Sequence, residues 1–457
     1  MSKIWYARAW MGGYWPWVLH DAHVKYGDIV RIGPNELSFG SVQSVKDIYG
    51  PPSKMRKLFP KSDLMYDIGE PSNVAYEMDP KRHAQRLKLL APGFRTQSLR
   101  DQEHIIHEHV DLLMDKIAHL SQTSSNGVDM STAYEWLTFD ITGQLTFGES
   151  FGAVKEGRSH FWISILYSSI YAASLFTLRK RLPILGLWLV FMALFSPSLK
   201  AIIESNKQHA ELTLERVKKR IEMGDTHTPD FFANIIQSGE LSEAEMASEA
   251  NVLITAGAET TAVGLVAAIW YLSTNPSTME KLQREIRTSF KSYQDITGDS
   301  TAQLPYLNAV IEELLRIFPP TAAGPSRKSP GEWVDGHYIP KGVGVTSHNW
   351  FIQHDGRIVD NPELFEPERW LGERSKDKPF TWPFSLGPRS CLGINLAYME
   401  MRVTISKLVY RYNWTLAHDL SNGYDWPTEC RMKMLWRKAE LRAVFRPAEI
   451  WSEKATS

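Results

Sequence analysis

Apolar and polar positions alternate along Val30-Arg31-Ile32-Gly33-Pro34-Asn35-Glu36-Leu37-Ser38-Phe39, around a central Gly-Pro turn. A period of two broken by a turn signal predicts a β-hairpin, and with it a short sheet near the N-terminus. From about Ser98 to Met223 the period changes. Val110, Leu113, Met114 and Ile117 recur at three and four, which predicts mostly helix. A further helix opens at Ser242, where Glu245 completes a capping box, and runs to about Thr274, where Asn275-Pro276 stops it. Gly224 to Asp230 is a polar break and Gly336 to Gly344 a turn-rich one, but neither has the character of an interdomain linker. No repeat or low-complexity segment is present. The expected fold class is mainly α with a minor β portion, as one domain over 1–457.

Two apolar stretches, Phe161 to Thr177 and Pro183 to Pro197, are separated by Arg179, Lys180 and Arg181. Each is shorter than the run of about eighteen residues that spans a bilayer, so they are read as core or surface-lying helices. Membrane contact through 161–197 is a second expectation. Met1 to Gly50 holds neither such a run nor a signal peptide, because Lys3, Arg8 and His20 interrupt a Trp-rich stretch. The expectation is therefore a chain without an N-terminal membrane anchor.

Composition narrows the function. A chain of 457 residues, 43% hydrophobic and 23% charged, can bury a sizeable core. A net charge of -1 supplies no basic footprint, which argues against a nucleic-acid partner. Two cysteines, Cys391 and Cys430, cannot build a four-cysteine zinc or iron–sulfur site. They also argue against a disulfide-stapled secreted chain, so a reducing, cytosol-facing location is expected and the sequon Asn413-Trp414-Thr415 is read as unused.

Chemistry concentrates in Phe384 to Gly393 (FSLGPRSCLG). Phe384, Gly387, Arg389 and Gly393 surround Cys391 at the offsets of a loop that holds a thiolate on haem iron. Such a thiolate needs the metal to lower its pKa and backbone N–H groups to shield it. Gly387 and Gly393 would let backbone approach sulfur and porphyrin, and Arg389 offers a planar cation to a haem propionate. The alternative is a structural cysteine in a Gly/Pro turn. The segment resembles the haem-binding loop of the cytochrome P-450 monooxygenases, and Leu396 to Glu400 resembles the start of the helix that follows it there.

Within the Ser242–Thr274 helix, Ala256-Gly257-Ala258-Glu259-Thr260-Thr261 sets an acid and an alcohol among small and apolar neighbours. Burying them costs several kcal/mol unless they are paired. Ala256 and Gly257 would let a flat ligand lie against the helix. The hexapeptide resembles the oxygen-activating helix of the same family, which assigns proton delivery to Glu259 and Thr260. Glu313-Leu314-Leu315-Arg316 puts an acid and a base on one helix face. By the resemblance this pair joins Arg369, in Phe365-Glu366-Pro367-Glu368-Arg369-Trp370, in a core network serving structure and haem retention. Arg327 resembles the family's propionate-binding strand. His83 stands where that family has a His or Trp followed four residues on by Arg; here the fourth position is Leu87, with Arg86 or Lys88 as substitutes.

The resemblance runs from about Tyr14 to Ile450 and is closest to fungal secondary-metabolism members of the isotrichodermin C-15 hydroxylase kind. It implies a helical bundle around a buried haem b ligated by Cys391. The implied reaction is insertion of one oxygen atom from O2 into an apolar terpenoid or polyketide. Pocket walls would be Leu64 to Asn73, Asn251 to Gly257 and Thr321 to Gly324. No dinucleotide or flavin motif is present, so electrons would come from an NADPH-cytochrome P-450 reductase docking on basic residues near the cysteine loop. The cytosolic face of the endoplasmic reticulum is the implied location, or the soluble phase if the anchor is absent. Two rivals remain at this point: a non-catalytic haem-binding remnant, and an O2-independent haem-thiolate isomerase or dehydratase.

Overall fold

The computed structural model of the chain describes residues 3–54, 56–67, 69, 71–124, 126–183, 195–224 and 230–449. Ten helices organise them here: α1 (Lys3–Gly12), α2 (Trp15–Tyr26), α3 (Pro80–Leu90), α4 (Thr96–Thr123), α5 (Met130–Phe147), α6 (Phe161–Arg181), α7 (Pro197–Glu222), α8 (Glu243–Thr274), α9 (Pro305–Ile317) and α10 (Ile394–Arg411). The architecture is mainly helical with small sheets, as the sequence predicts. The apolar stripe of α4 is buried throughout, from Ile105 through Val110, Leu113 and Met114 to Ile117.

Helix α8 is the axis of the fold. Its start is the predicted capping box, in which Ser242 Oγ accepts from Glu245 N–H and the Glu245 carboxylate accepts from Ser242 N–H. Its end is Asn275, ahead of Pro276. From Thr261 to Trp270 every residue is buried, the mark of a helix enclosed on all sides. Close approach to α5 depends on Gly257, where a Cβ would lie 2.9 Å from both Thr142 Cγ2 and Oγ1. The small residue there serves helix packing rather than a flat ligand, which corrects the sequence reading for Gly257.

The hairpin is present. Strand β1 (Ile29–Gly33) pairs antiparallel with β2 (Glu36–Phe39), with Val30 opposite Ser38. A short strand β3 (Val128–Asp129) joins a separate sheet, whereas β4 (Arg327–Lys328) and β5 (Gly344–Ser347) complete the first in the order β1-β2-β5-β4. Strand β2 runs parallel to β5, and an isolated bridge sets Lys61 beside Arg327. Strands β6 (Tyr412–Leu416) and β7 (Arg442–Pro447) pair antiparallel, with β3 on the other side of β7.

Helix α6 extends through Arg179, Lys180 and Arg181 to 21 residues, longer than the apolar stretch alone suggests. Both α6 and α8 reach the length and apolarity of a membrane-crossing segment. Of that segment 67% is buried in α8 but only 39% in α6, so α8 is a core helix and α6 keeps an open face. Residues 184–194 of the second apolar stretch and 225–229 of the polar break lie outside the described residues.

The acid–base pair on α9 forms the expected core network. Glu313 takes Arg316 at 2.8 Å and 2.9 Å and Arg369 at 3.2 Å, while Trp370 Nε1 donates to it at 3.0 Å. Arg316 also donates to the carbonyls of Gln353, Pro362 and Leu364. Both arginines and Glu313 are buried, so no water could replace a lost partner. Replacing Arg369 by leucine is expected to destabilise the fold by about 3–5 kcal/mol, the cost of an unpaired buried charge, read as a drop in urea midpoint.

His354 lies beside this network, its ring stacked on Trp350 at 4.2 Å. Burial first, and Arg316 among the nearby cations, hold it down to about 3. A folded value below the unfolded one leaves stability intact above pH ~6.5 and erodes it as pH falls, by up to about 1.4 kcal/mol per pH unit for one group. His354→Phe is therefore expected to flatten the stability profile below pH ~6.5 by about one proton's worth, measured by urea denaturation across pH.

Candidate functional site

The loop around Cys391 is shaped by its own backbone. Cys391 N–H donates to the Phe384 carbonyl at 2.8 Å, which closes the loop on itself. Gly387 has φ +65, and a Cβ on it would sit 2.6 Å from the Tyr49 carbonyl oxygen. Glycine there is required by a chain crossing, not by approach to sulfur as the sequence reading had it. Gly393 is different: a Cβ would meet only Phe94, at 3.9 Å, and its N–H donates to the Cys391 sulfur and lowers its pKa. Ser385 adopts φ 60 without being glycine, a turn that no sequence signal announced.

Cys391 is accessible, yet protein surrounds it closely enough that burial pushes its thiol up. The sulfur therefore opens into a recess enclosed by the protein. It also sits at the start of α10, where the helix dipole favours a thiolate. Cys430, by contrast, is buried, accepts from Ala439 N–H at 3.4 Å and is pushed up to about 12 by burial. Only Cys391 is placed to bind anything.

Beside this loop the cations gather. Arg389 donates to the carbonyls of Glu77 at 2.7 Å and Met78 at 3.3 Å, just ahead of α3. Burial, with Arg327 close by, lowers it to about 10. His83 on α3 is held down to about 4 by burial, then by Arg389, Lys61 and Arg327. Lys61 is driven well below its ordinary value by burial, Arg389 and Arg327. Four basic side chains thus crowd one place, where Arg327 helps to hold down Lys61, His83 and Arg389. Glu77 faces them but is shared with Arg82 and Arg86, so basic groups outnumber the carboxylates in reach, and two haem propionates have the charge to balance them. Lys61 escaped the sequence reading because Pro60-Lys61-Ser62 forms no motif; the bridge to Arg327 brings it in.

Arg86 does not substitute for the missing fourth-position arginine. It turns to Glu249 at 2.8 Å and Glu245 at 3.3 Å, tying α3 to α8, while Lys88 is exposed. Burial leads the upward shift of the Glu249 carboxyl, with Arg86 opposing it.

On α8, Thr260 Oγ1 donates to the Ala256 carbonyl at 2.7 Å, and Ala256 is exposed although its neighbours from Leu253 to Ala258 are buried or half-buried. The helix therefore presents a bare patch one turn before Thr260. Glu259 points elsewhere. Its Oε2 accepts from Lys438 Nζ at 2.7 Å and from Tyr167 O–H at 2.9 Å, and Lys438 also reaches Glu135 at 3.0 Å. Lys438, Tyr167 and Glu135 come from the C-terminal segment, α6 and α5, so nothing in the sequence could group them. Two predicted wall segments meet in a cleft of about 40 Å³, through Met65, Ala323 and Gly324. Tyr6, Trp10 and Trp15 of α1 and α2 also line it, which the sequence signalled only as a Trp-rich start. Asn251 to Gly257 does not reach that cleft, and residues 68 and 70 of the first wall lie outside the described residues.

An accessible sulfur, a cluster of basic groups in excess over the nearby carboxylates and a bare patch on the core helix fit a haem. Cys391 would hold the iron, and Arg327, Arg389, Lys61 and His83 the propionates.

Comparison with known proteins gives the family. Residues 9–438 match the family model described as Cytochrome P-450. The chain is 38% identical over 456 residues to cytochrome P-450 monooxygenase BOA3 of Botryotinia fuckeliana, covering 97% of this chain and 88% of that one. It is 38% identical to cytochrome P-450 monooxygenase btcC of Colletotrichum orbiculare, covering 98% and 87%. Trichothecene C-15 hydroxylase of Fusarium sporotrichioides is 33% identical, with 93% and 86% covered.

Arg389→Leu is expected to let His83 rise from about 4 toward its ordinary value in the haem-free protein, followed by NMR titration of the ring protons. If Arg389 holds a propionate, the same change in the haem-loaded protein would remove a charged hydrogen-bond partner worth about 1.5–3 kcal/mol. Haem transfer to an acceptor protein should then speed up by roughly tenfold or more.

Proposed function

Because the chain belongs to the cytochrome P-450 family and is a monooxygenase with haem b held by a cysteine, we propose that Cys391 is that cysteine and that the substrate is an apolar secondary metabolite, a terpenoid or polyketide scaffold. The observation that carries the ligand assignment is the contrast between its two thiols: Cys391 opens into an enclosed recess, whereas Cys430 is buried and already accepts a backbone hydrogen bond. The substrate class is supported by the apolar side chains of the expected walls, among them Met65, Leu253 and Ala323. A relative named for hydroxylating a trichothecene at C-15 supports it further.

When bound, haem b supplies the oxygen chemistry, with thiolate donation favouring O–O cleavage. The chain's own residues do the rest. Gly393 N–H tempers the charge on sulfur, and the start of α10 favours the ionised form. Arg327, Arg389, Lys61 and His83 fix the orientation of the propionates. Glu259 holds the incoming proton in the water-poor core. Thr260 Oγ1, released from the Ala256 carbonyl, presents it on the reacting side.

Electrons come, in this reading, from an NADPH-cytochrome P-450 reductase docking on the cysteine-loop side. The enzyme works at the cytosolic face of the endoplasmic reticulum membrane, with contact through 161–197. Support for that contact is the open face of α6 and exposed Phe161 and Phe195.

The test is the spectrum of the reduced, carbon-monoxide-bound protein. The native chain should give the strongly red-shifted Soret band of thiolate ligation and Cys391→Ser should lose it, while Cys430→Ser should keep it. Retention of the band in Cys391→Ser would overturn the assignment.

A further inference from the structure

We propose that Glu135, Tyr167 and Glu259 form a proton relay running from the edge of α5 to the core helix, with Lys438 as the counter-charge that holds the three together. The inference deepens the role given to Glu259 and rests on it.

The argument is a count of hydrogens. Lys438 Nζ has three, and three acceptors surround it: Tyr167 Oη at 2.8 Å, Glu259 Oε2 at 2.7 Å and Glu135 Oε1 at 3.0 Å. Tyr167 has one phenolic hydrogen, yet its oxygen lies at hydrogen-bond distance from Glu259 Oε2, at 2.9 Å, and also from Glu135 Oε1. A phenol can donate to one carboxylate at a time. The second contact is a hydrogen bond only when one of the two carboxyls carries a proton. Charge gives the same answer: two carboxylates against one ammonium leave a net negative charge in a buried place, which a single proton removes.

The ends of the chain differ in their access to water. The Glu135 side chain is 14% exposed and that of Glu259 3%. Protons enter at Glu135 and leave at Glu259, the residue before Thr260 in the helix. In the transfer, Tyr167 gives its hydrogen to Glu259 Oε2 while its oxygen takes the proton of the Glu135 carboxyl. No phenolate forms, and ionised Glu135 is reloaded from water. Burial, with both carboxylates alongside, keeps the Tyr167 phenol well above its ordinary value, as a group that passes a hydrogen without ionising requires. Burial likewise leads the upward shift of Glu135.

Tyr167→Phe cuts the relay and keeps the ring; Glu135→Gln and Glu259→Gln remove a proton-holding end without changing shape. The haem-loaded protein is driven by NADPH and reductase in air with no added substrate, and the fraction of electrons leaving as hydrogen peroxide is measured in H2O and D2O. All three variants are expected to raise that fraction at least threefold, and Tyr167→Phe added to Glu259→Gln should change nothing further, as members of one path do. If Glu259→Gln shifts the partition and Tyr167→Phe and Glu135→Gln leave it at the native value, the relay is overturned and the role of Glu259 stands. If Glu259→Gln also leaves it unchanged, both fall. An unchanged carbon-monoxide spectrum certifies the fold of each variant. An independent reading comes from the infrared difference between native and Glu135→Gln protein, which should contain the carbonyl band of a neutral carboxylic acid that shifts in D2O. Its absence would overturn the shared proton.

Discussion

A charge taken out of water must meet an opposite charge at bonding distance, and this protein is arranged around that constraint. Glu313 is met by Arg316 and Arg369, Glu249 by Arg86, and Glu259 by Lys438. Apart from Glu313–Arg316 within α9, each pairing joins segments distant in sequence, so the ion pairs also tie α3 and the C-terminal segment to α8 and the Arg369 segment to α9. The balance differs at Lys61, His83, Arg327 and Arg389, where basic groups outnumber the Glu77 carboxylate that faces them. Such an imbalance sets the sign of what belongs there, and a dianionic cofactor would meet it.

The two halves of the chemistry sit on different kinds of support. The sulfur is presented by a loop whose geometry is set by backbone: the Phe384 carbonyl, the Gly393 N–H and the crossing under Gly387. The acid is presented by a helix and held by side chains from three other segments. A backbone-determined ligand gives a fixed distance to the metal. A side-chain-determined acid can exchange its proton without moving the helix that carries it.

How much was legible in the sequence follows the same division. Features written in consecutive residues could be read directly: the hairpin with its Gly-Pro turn, the Ser242–Glu245 capping box, the cysteine loop and the Glu313–Arg316 pair. Features made by residues that meet only after folding could not. Lys61, Lys438, Tyr167 and Glu135 carry no local signature, because a lysine or tyrosine that ends up buried looks like any other until its partner is known. Arg86 was misread for a related reason. Its offset suited a propionate, but a full turn of α8 bearing Glu245 and Glu249 lay closer. Gly257 and Gly387 were recognised as necessary and given the wrong neighbour, since a missing Cβ says that something is close without saying what.

Helix α8 is held at two points, by Arg86 on Glu249 and by Lys438 on Glu259, and the stretch expected to line the substrate chamber lies between them. A rod clamped on both sides of a segment keeps its line whatever side chains that segment carries. Substitutions at the less buried positions between Asn251 and Ala256 can therefore accumulate, altering which scaffold is accepted, while the acid stays in register with the alcohol. Asn251, Ile254 and Gly257 are denied that freedom, because Asn251 is hydrogen-bonded to His209, Ile254 is buried in the core and Thr142 stands against Gly257. The clamp separates what can drift from what cannot, and so leaves a lineage of such chains free to diversify its chemistry on an unmoving frame.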